Sequence, residues 1–105
     1  MSRFIYLDNA ATTRTSQAVV DAMMPYFNQY YGNPSSVYSF SNYGKEAVSK
    51  ARKQIADVLK ANPEEIYFTA GGSESDNWAL IATAEAYQEK GKHIITSKIE
   101  HHAVL

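Results

Sequence analysis

Residues 66–96 read IYFTAGGSESDNWALIATAEAYQEKGKHIIT, and this stretch decides the fold class. Ile66-Tyr67-Phe68-Thr69 is a short apolar, β-prone run. Gly71-Gly72-Ser73 makes a tight turn, and a helix is expected from about Glu74 to Lys90, with Gly91 as its stop signal. His93-Ile94-Ile95-Thr96 is a second strand, apolar enough to be buried. Strand, glycine turn, helix and strand within ~30 residues form a βαβ unit, with parallel strands and a right-handed crossover. Helices packed on a parallel sheet, an α/β architecture, are the expectation.

Upstream, the clearest helix places Ala47, Val48, Ala51, Ile55, Val58 and Leu59 at helical spacing, with Lys45, Glu46, Lys50, Arg52, Lys53 and Asp57 mostly opposite. Asn62-Pro63 ends it. Further upstream, Ser16 is a candidate cap for a helix carrying Val19, Val20, Met23, Met24 and Phe27 on one stripe, which Pro25 should kink or fray. Residues 30–41 are turn chemistry around Gly32-Asn33-Pro34-Ser35-Ser36. Phe4-Ile5-Tyr6-Leu7 is a brief strand or an extended arm, interrupted by Asp8-Asn9. A lone βαβ unit leaves both faces of its strand pair open, so the chain reads as part of a larger enzyme, or as one that covers its open edge by pairing with another copy.

Composition narrows the function classes. The 105 residues are 45% apolar and 20% charged, with ten Lys+Arg against eleven Asp+Glu and a formal net charge of −1. That balance offers no electrostatic case for nucleic acid or an anionic membrane surface. Cysteine is absent, which excludes disulfides, zinc-thiolate sites and a cysteine nucleophile within these residues. No apolar run approaches the ~20 residues of a membrane span, and the first residues lack a secretory pattern. A cytoplasmic protein is expected.

Three places carry chemistry. The glycine turn Thr69-Ala70-Gly71-Gly72-Ser73 joins the end of an expected strand to the start of a helix, where free N–H groups and the helix dipole suit a phosphate. It is neither a Walker loop nor G-x-G-x-x-G, and it reads equally as a tight turn with Ser73 as helix cap. Glu100-His101-His102 follows the second strand, the position where open α/β sheets line their ligand crevice. A histidine there is an acid/base, a stacking platform, a metal ligand or simply an exposed loop residue. No other cluster of ligand types accompanies it, so no metal site is expected. Asp8-Asn9-Ala10-Ala11-Thr12-Thr13 and the Asn33 turn are, on their own, capping and turn segments.

Taken in order, Tyr6 to Thr13, Tyr31 to Ser36, Phe68 to Asn77, His93 to Thr96 and Glu100 to Leu105 resemble the N-terminal portion of cysteine desulfurases. These belong to the class V aminotransferase group of pyridoxal 5′-phosphate (PLP) enzymes. The resemblance implies a PLP-dependent transferase of fold type I, homodimeric, with a mostly parallel sheet. Residues 1–15 would then be an N-terminal arm, and 16–105 the start of the PLP-binding α/β region. It implies that Gly72 and Ser73 bind the cofactor phosphate, and that His101 stacks on the pyridine ring and moves protons. Asn9, Ala10 and Asn33 would border the active site. The implied whole-protein reaction converts L-cysteine to L-alanine and an enzyme persulfide, with a sulfur-acceptor protein feeding iron–sulfur cluster or thio-cofactor assembly. The family's Schiff-base lysine, pyridine-pairing aspartate, substrate arginine and catalytic cysteine are expected downstream, so residues 1–105 alone are expected to be inactive. Relatives carry His at the place of Tyr38, Gly at that of Ser41 and Ala-Thr at that of Gly72-Ser73. Alternatives are another class V aminotransferase, a selenocysteine lyase, or a non-catalytic phosphate-binding or oligomerising α/β module.

Overall fold

The computed structural model describes residues 3–105. The chain divides into two compact units, residues 1–63 and 64–105.

In the first unit, helix α1 (Gln17–Met23) starts after Ser16, which takes the N-cap position with extended backbone (φ −68°, ψ 151°). Its side chain makes no capping bond, so the cap is the main chain alone: the Ser16 carbonyl accepts from Val19 and Val20 N–H at 3.1 and 3.0 Å. Pro25 has no N–H to continue the ladder, and the helix breaks there as expected. Helix α2 (Pro25–Asn28) restarts with Pro25 at its first position. Helix α3 (Asn42–Leu59) follows a 3-10 turn at Ser39–Ser41. It ends on Lys60, which adopts left-handed backbone at φ 58°, while Lys60 and Ala61 N–H both donate to the Ala56 carbonyl. That double bond from the αL residue and its successor closes the helix end.

Small residues let the turn before α3 approach the helix closely. A Cβ on Gly44 would stand 2.8 Å from the Gly32 carbonyl oxygen and 3.3 Å from Pro34 Cγ. One on Gly32 would meet Phe40 Cδ1 at 2.9 Å and Ser41 Cα at 3.0 Å. Asn33 shapes this turn, its Oδ1 accepting from Ser35 N–H at 2.9 Å and its carbonyl from Ser36 N–H at 3.0 Å. Rings complete the packing: Tyr30 stacks on Tyr43 at 4.6 Å and touches Tyr26 at 6.0 Å, and Tyr31 meets Phe40 edge-on at 5.0 Å. The buried positions on and next to α3 are Ser41, Gly44 and Ala56. Along the helix Gly44 and Ala56 are buried and Ala47, Val48, Ala51 and Arg52 half-buried, so the first part of the expected apolar stripe is covered while Ile55, Val58 and Leu59 stay exposed.

In the second unit, helix α4 spans Gly72–Ala86. It begins two residues earlier than expected and ends four residues before Lys90. Residues 87–90 tighten into a turn, with Lys90 N–H donating to the Tyr87 carbonyl at 2.8 Å and the Lys90 ammonium 4.4 Å from the Tyr87 ring centre. Gly91 is thus not the stop. The expected βαβ unit does not form: among the described residues there is no β-strand, and residues 66–69 and 93–96 flank α4 without joining in a ladder. Ile95, expected to be buried, is 95% exposed. A ladder needs a neighbouring strand for its N–H and C=O groups and layers over its faces, and two four-residue runs supply neither. No described helix is long and apolar enough to cross a membrane.

Candidate functional site

The second unit brings together Gly72, Ser73 and His101. Gly71 precedes α4 in extended conformation (φ 174°, ψ 175°), and no side chain caps the helix. Ser73 lies inside the first turn as its second residue, so the reading of Ser73 as helix cap is overturned. Among the described residues its hydroxyl has no hydrogen-bond partner, and neither do the N–H groups of Gly72, Ser73 and Glu74. An added Cβ at Gly71 or Gly72 meets nothing within 4 Å, so the space beside these donors is open.

Neighbouring bonds hold the turn in shape while leaving those donors free. Glu74 reaches back to accept the Ala70 N–H at 2.7 Å. The Thr69 hydroxyl bonds the Gly71 carbonyl at 3.1 Å and the Ser75 hydroxyl at 2.6 Å. What remains at the helix start is three free amides, one free hydroxyl and the positive end of a 15-residue helix dipole. That donor set fits a phosphate, which accepts several charge-assisted hydrogen bonds.

His101 is exposed on a turn closed by Val104 N–H donating to the His101 carbonyl at 2.9 Å. Its Nδ1 accepts from Ala103 N–H at 3.2 Å, which leaves the ring proton of the neutral imidazole on Nε2. The His102 ring lies 5.6 Å away at a tilt. A residue without an assigned role in the sequence joins the two features: Asn77 Nδ2 donates to the Ser73 and Ala103 carbonyls, both at 2.9 Å. The i, i+4 spacing of Ser73 and Asn77 was the signal for its first bond; nothing in the sequence signals the second.

Asn9, Ala10 and Asn33 lie in the first unit. Ala11 N–H donates to the Asp8 carbonyl at 3.1 Å, the Thr13 hydroxyl to the Asn9 carbonyl at 3.0 Å, and Tyr6 and Thr12 hydroxyls bond at 2.6 Å across this turn. These bonds make residues 8–13 the turn segment expected, and residues 4–7 precede it without strand pairing.

Residues 5–105 match the aminotransferase class-V family. The chain belongs to the class-V aminotransferase family. It is 55% identical over 104 residues to the cysteine desulfurase IscS of Methanosarcina thermophila, covering 99% of this chain and 26% of that protein. The cysteine desulfurase IscS of Clostridium botulinum (strain Kyoto) is 52% identical over 105 residues, covering 100% of this chain and 26% of that protein. The putative cysteine desulfurase IscS 1 of Bacillus subtilis is 50% identical over 101 residues, 96% of this chain and 27% of its own length. The chain thus spans about a quarter of the length of the curated relatives it matches. Among solved structures, a NifS-like protein matches with a TM-score of 0.85 and 40% identity, over 95% of this chain and 28% of that one. This likeness supports a PLP-dependent fold for this class-V aminotransferase family member, even though no ladder is closed.

Proposed function

We propose that this chain is the phosphate-gripping part of a cytoplasmic, homodimeric PLP-dependent cysteine desulfurase. In that reading the whole protein takes L-cysteine as substrate and passes sulfur to an acceptor protein for iron–sulfur cluster or thio-cofactor assembly. One observation carries it: the free amides of Gly72, Ser73 and Glu74 and the free Ser73 hydroxyl, facing open space, lie in a chain about half identical to cysteine desulfurases. PLP, when bound, supplies an electron sink for bond cleavage next to the substrate amine.

In this reading the chain's own residues bind and orient. The amides of residues 72–74 and the Ser73 hydroxyl hold the phosphate. His101 presents its ring face to the cofactor, and its Nε2 is the atom that holds or moves a proton, since Nδ1 is occupied by Ala103. Asn9, Ala10 and Asn33 keep the role the family resemblance implies, bordering the active site of the whole protein. Residues 1–105 contain no cysteine to take up sulfur, so by themselves they do not turn over L-cysteine.

The test is a PLP titration of this chain, followed by borohydride reduction and intact mass. Saturable binding without a lysine adduct is expected, and Ser73→Ala should weaken it by roughly 10-fold or more, the loss of one hydrogen bond to a charged group. Because the Ser73 hydroxyl has no partner among the described residues, the same change should leave the stability of this chain untouched. A stoichiometric adduct on one lysine, or affinity unchanged in Ser73→Ala, overturns the reading.

A further inference from the structure

Among the described residues, Asn77 is the side chain whose hydrogen bonds tie the start of α4 to the histidine turn. A side-chain amide has two N–H bonds, and at Asn77 both are used. One goes to the Ser73 carbonyl one helical turn back, the other to the Ala103 carbonyl 26 residues along the chain, each at 2.9 Å. The same residue also meets the imidazole, because the Ala103 N–H, which lies in the peptide group before the one Asn77 holds, donates to His101 Nδ1 at 3.2 Å. Val104 N–H, donating to the His101 carbonyl at 2.9 Å, closes the turn around them. The Ser73 carbonyl, the Asn77 amide and the Ala103 carbonyl form one line of bonds, and the bond from Ala103 N–H to His101 Nδ1 starts one peptide group earlier, across the Ala103 Cα.

We propose that Asn77 is the positioning residue that locks the His101 turn onto the first turns of α4 and, through Ala103, fixes the ring orientation of His101 and keeps its proton on Nε2. A hydrogen bond at one ring nitrogen decides where the other nitrogen's proton resides. The consequence for chemistry rests on the reading of His101 given above, whereas the anchoring itself is a property of the cofactor-free chain. Asn77 touches neither a cofactor nor a substrate; it sets where the imidazole stands relative to the helix whose free amides fit a phosphate.

The substitution that isolates this role is Asn77→Asp. Aspartate has the same shape but only accepts hydrogen bonds, so it faces two carbonyl oxygens with nothing to donate. Its charge lies in the first half of α4, toward the positive dipole end, and does not loosen the helix. In the 15N-labelled full chain without PLP, Asn77→Asp and Asn77→Ala should both speed hydrogen exchange at the Ala103 amide by about 10-fold or more. Both should also lose the single Nε2–H pattern of the His101 ring in long-range 1H–15N spectra, while amides 80–84 within α4 keep their protection. A pure packing role would leave the isosteric Asp variant like the parent. Ala103 exchange within twofold of the parent in Asn77→Asp, with α4 protected, overturns the proposal. Should either variant unfold α4, the unsubstituted chain decides: nuclear Overhauser contacts from the Asn77 amide protons to residues 103–104 are expected, and their absence overturns it. A chain that shows these contacts but binds no PLP separates failure of the proposed function from success of the anchor.

Discussion

Gly44→Ala is the substitution on which the packing of the first unit turns. In an uncrowded helix the change gains about 1 kcal/mol, because Ala loses less backbone freedom than Gly on folding. Here the new methyl would lie 2.8 Å from the Gly32 carbonyl oxygen and 3.3 Å from Pro34 Cγ. Carbon–oxygen contacts settle at about 3.3 Å or beyond, so the turn must retreat by roughly half an ångström. Neither neighbour gives easily, one being backbone and the other a proline ring. Overpacking of this kind costs about 1–3 kcal/mol, so the helix gain is outweighed and a net loss of about 1 kcal/mol is expected. Urea unfolding followed by circular dichroism should show the midpoint falling by roughly 0.3–1 M, given slopes of about 1–3 kcal/mol per molar. Gly72→Ala is the control: nothing stands within 4 Å of its Cβ, and a neutral to slightly stabilising change is expected. Gly32→Ala should also destabilise, since it meets Phe40 and Ser41 at 2.9–3.0 Å. The double variant should lose less than the sum, because one outward shift of the turn relieves both methyl groups. A Gly44→Ala chain as stable as the parent, or more so, refutes the close seating of residues 32–34 on α3, and with it the placement of Asn33.

Three further outcomes follow from local geometry. Lys60 holds φ 58°, a conformation that costs a non-glycine residue about 1–2 kcal/mol; after the greater unfolded-state freedom of glycine is subtracted, Lys60→Gly should stabilise by about 0.5–1 kcal/mol, read as a higher melting temperature, and Lys60→Val should do the reverse. Glu74→Ala frees the Ala70 N–H now bonded at 2.7 Å and should cost about 1 kcal/mol of α4 stability, with Glu74→Gln recovering part of it; equal thermal melts for all three chains contradict that bond's role. Lys53→Ala removes an exposed i, i+4 pair to Asp57 at 3.2 Å and should change stability by less than about 0.5 kcal/mol, measured by the same urea titration.

What the sequence made legible was local. The break at Pro25 and the Asn33 turn each rest on one or two residues whose backbone preferences leave little choice, whereas α3 stops short of Asn62-Pro63, on left-handed Lys60. The family was legible because five short motifs stand in order, each weak alone. Three features were not legible. The seating of the 32–34 turn on α3 depends on contacts that glycines permit but do not announce. The second bond of Asn77 crosses 26 residues of sequence. The strands failed because a strand is not a local object: apolar runs state a preference for pairing, and the pairing itself depends on another strand.

That difference bears on how the candidate site is built. The surroundings of α4 remain uncovered: Trp78, Leu80 and Ile81 point to different sides of the helix and are 49%, 38% and 55% exposed. Residues 78–84 of α4, WALIATA, are apolar nearly all round, which suits that part of the helix to burial on every side. The proposed phosphate cradle does not wait for that cover. Its parts are the Thr69 and Ser75 hydroxyls, the Glu74 carboxylate on Ala70 and the first turn of α4, all within seven residues. The histidine turn joins it through one amide side chain. Hydrogen bonds of this local kind form at little loop-closure cost, whereas a parallel sheet must close long crossovers first. The donors that fit a phosphate are therefore set by short-range bonding, and the sheet that residues 66–69 and 93–96 favour would add cover and rigidity to donors already placed by residues 69–77.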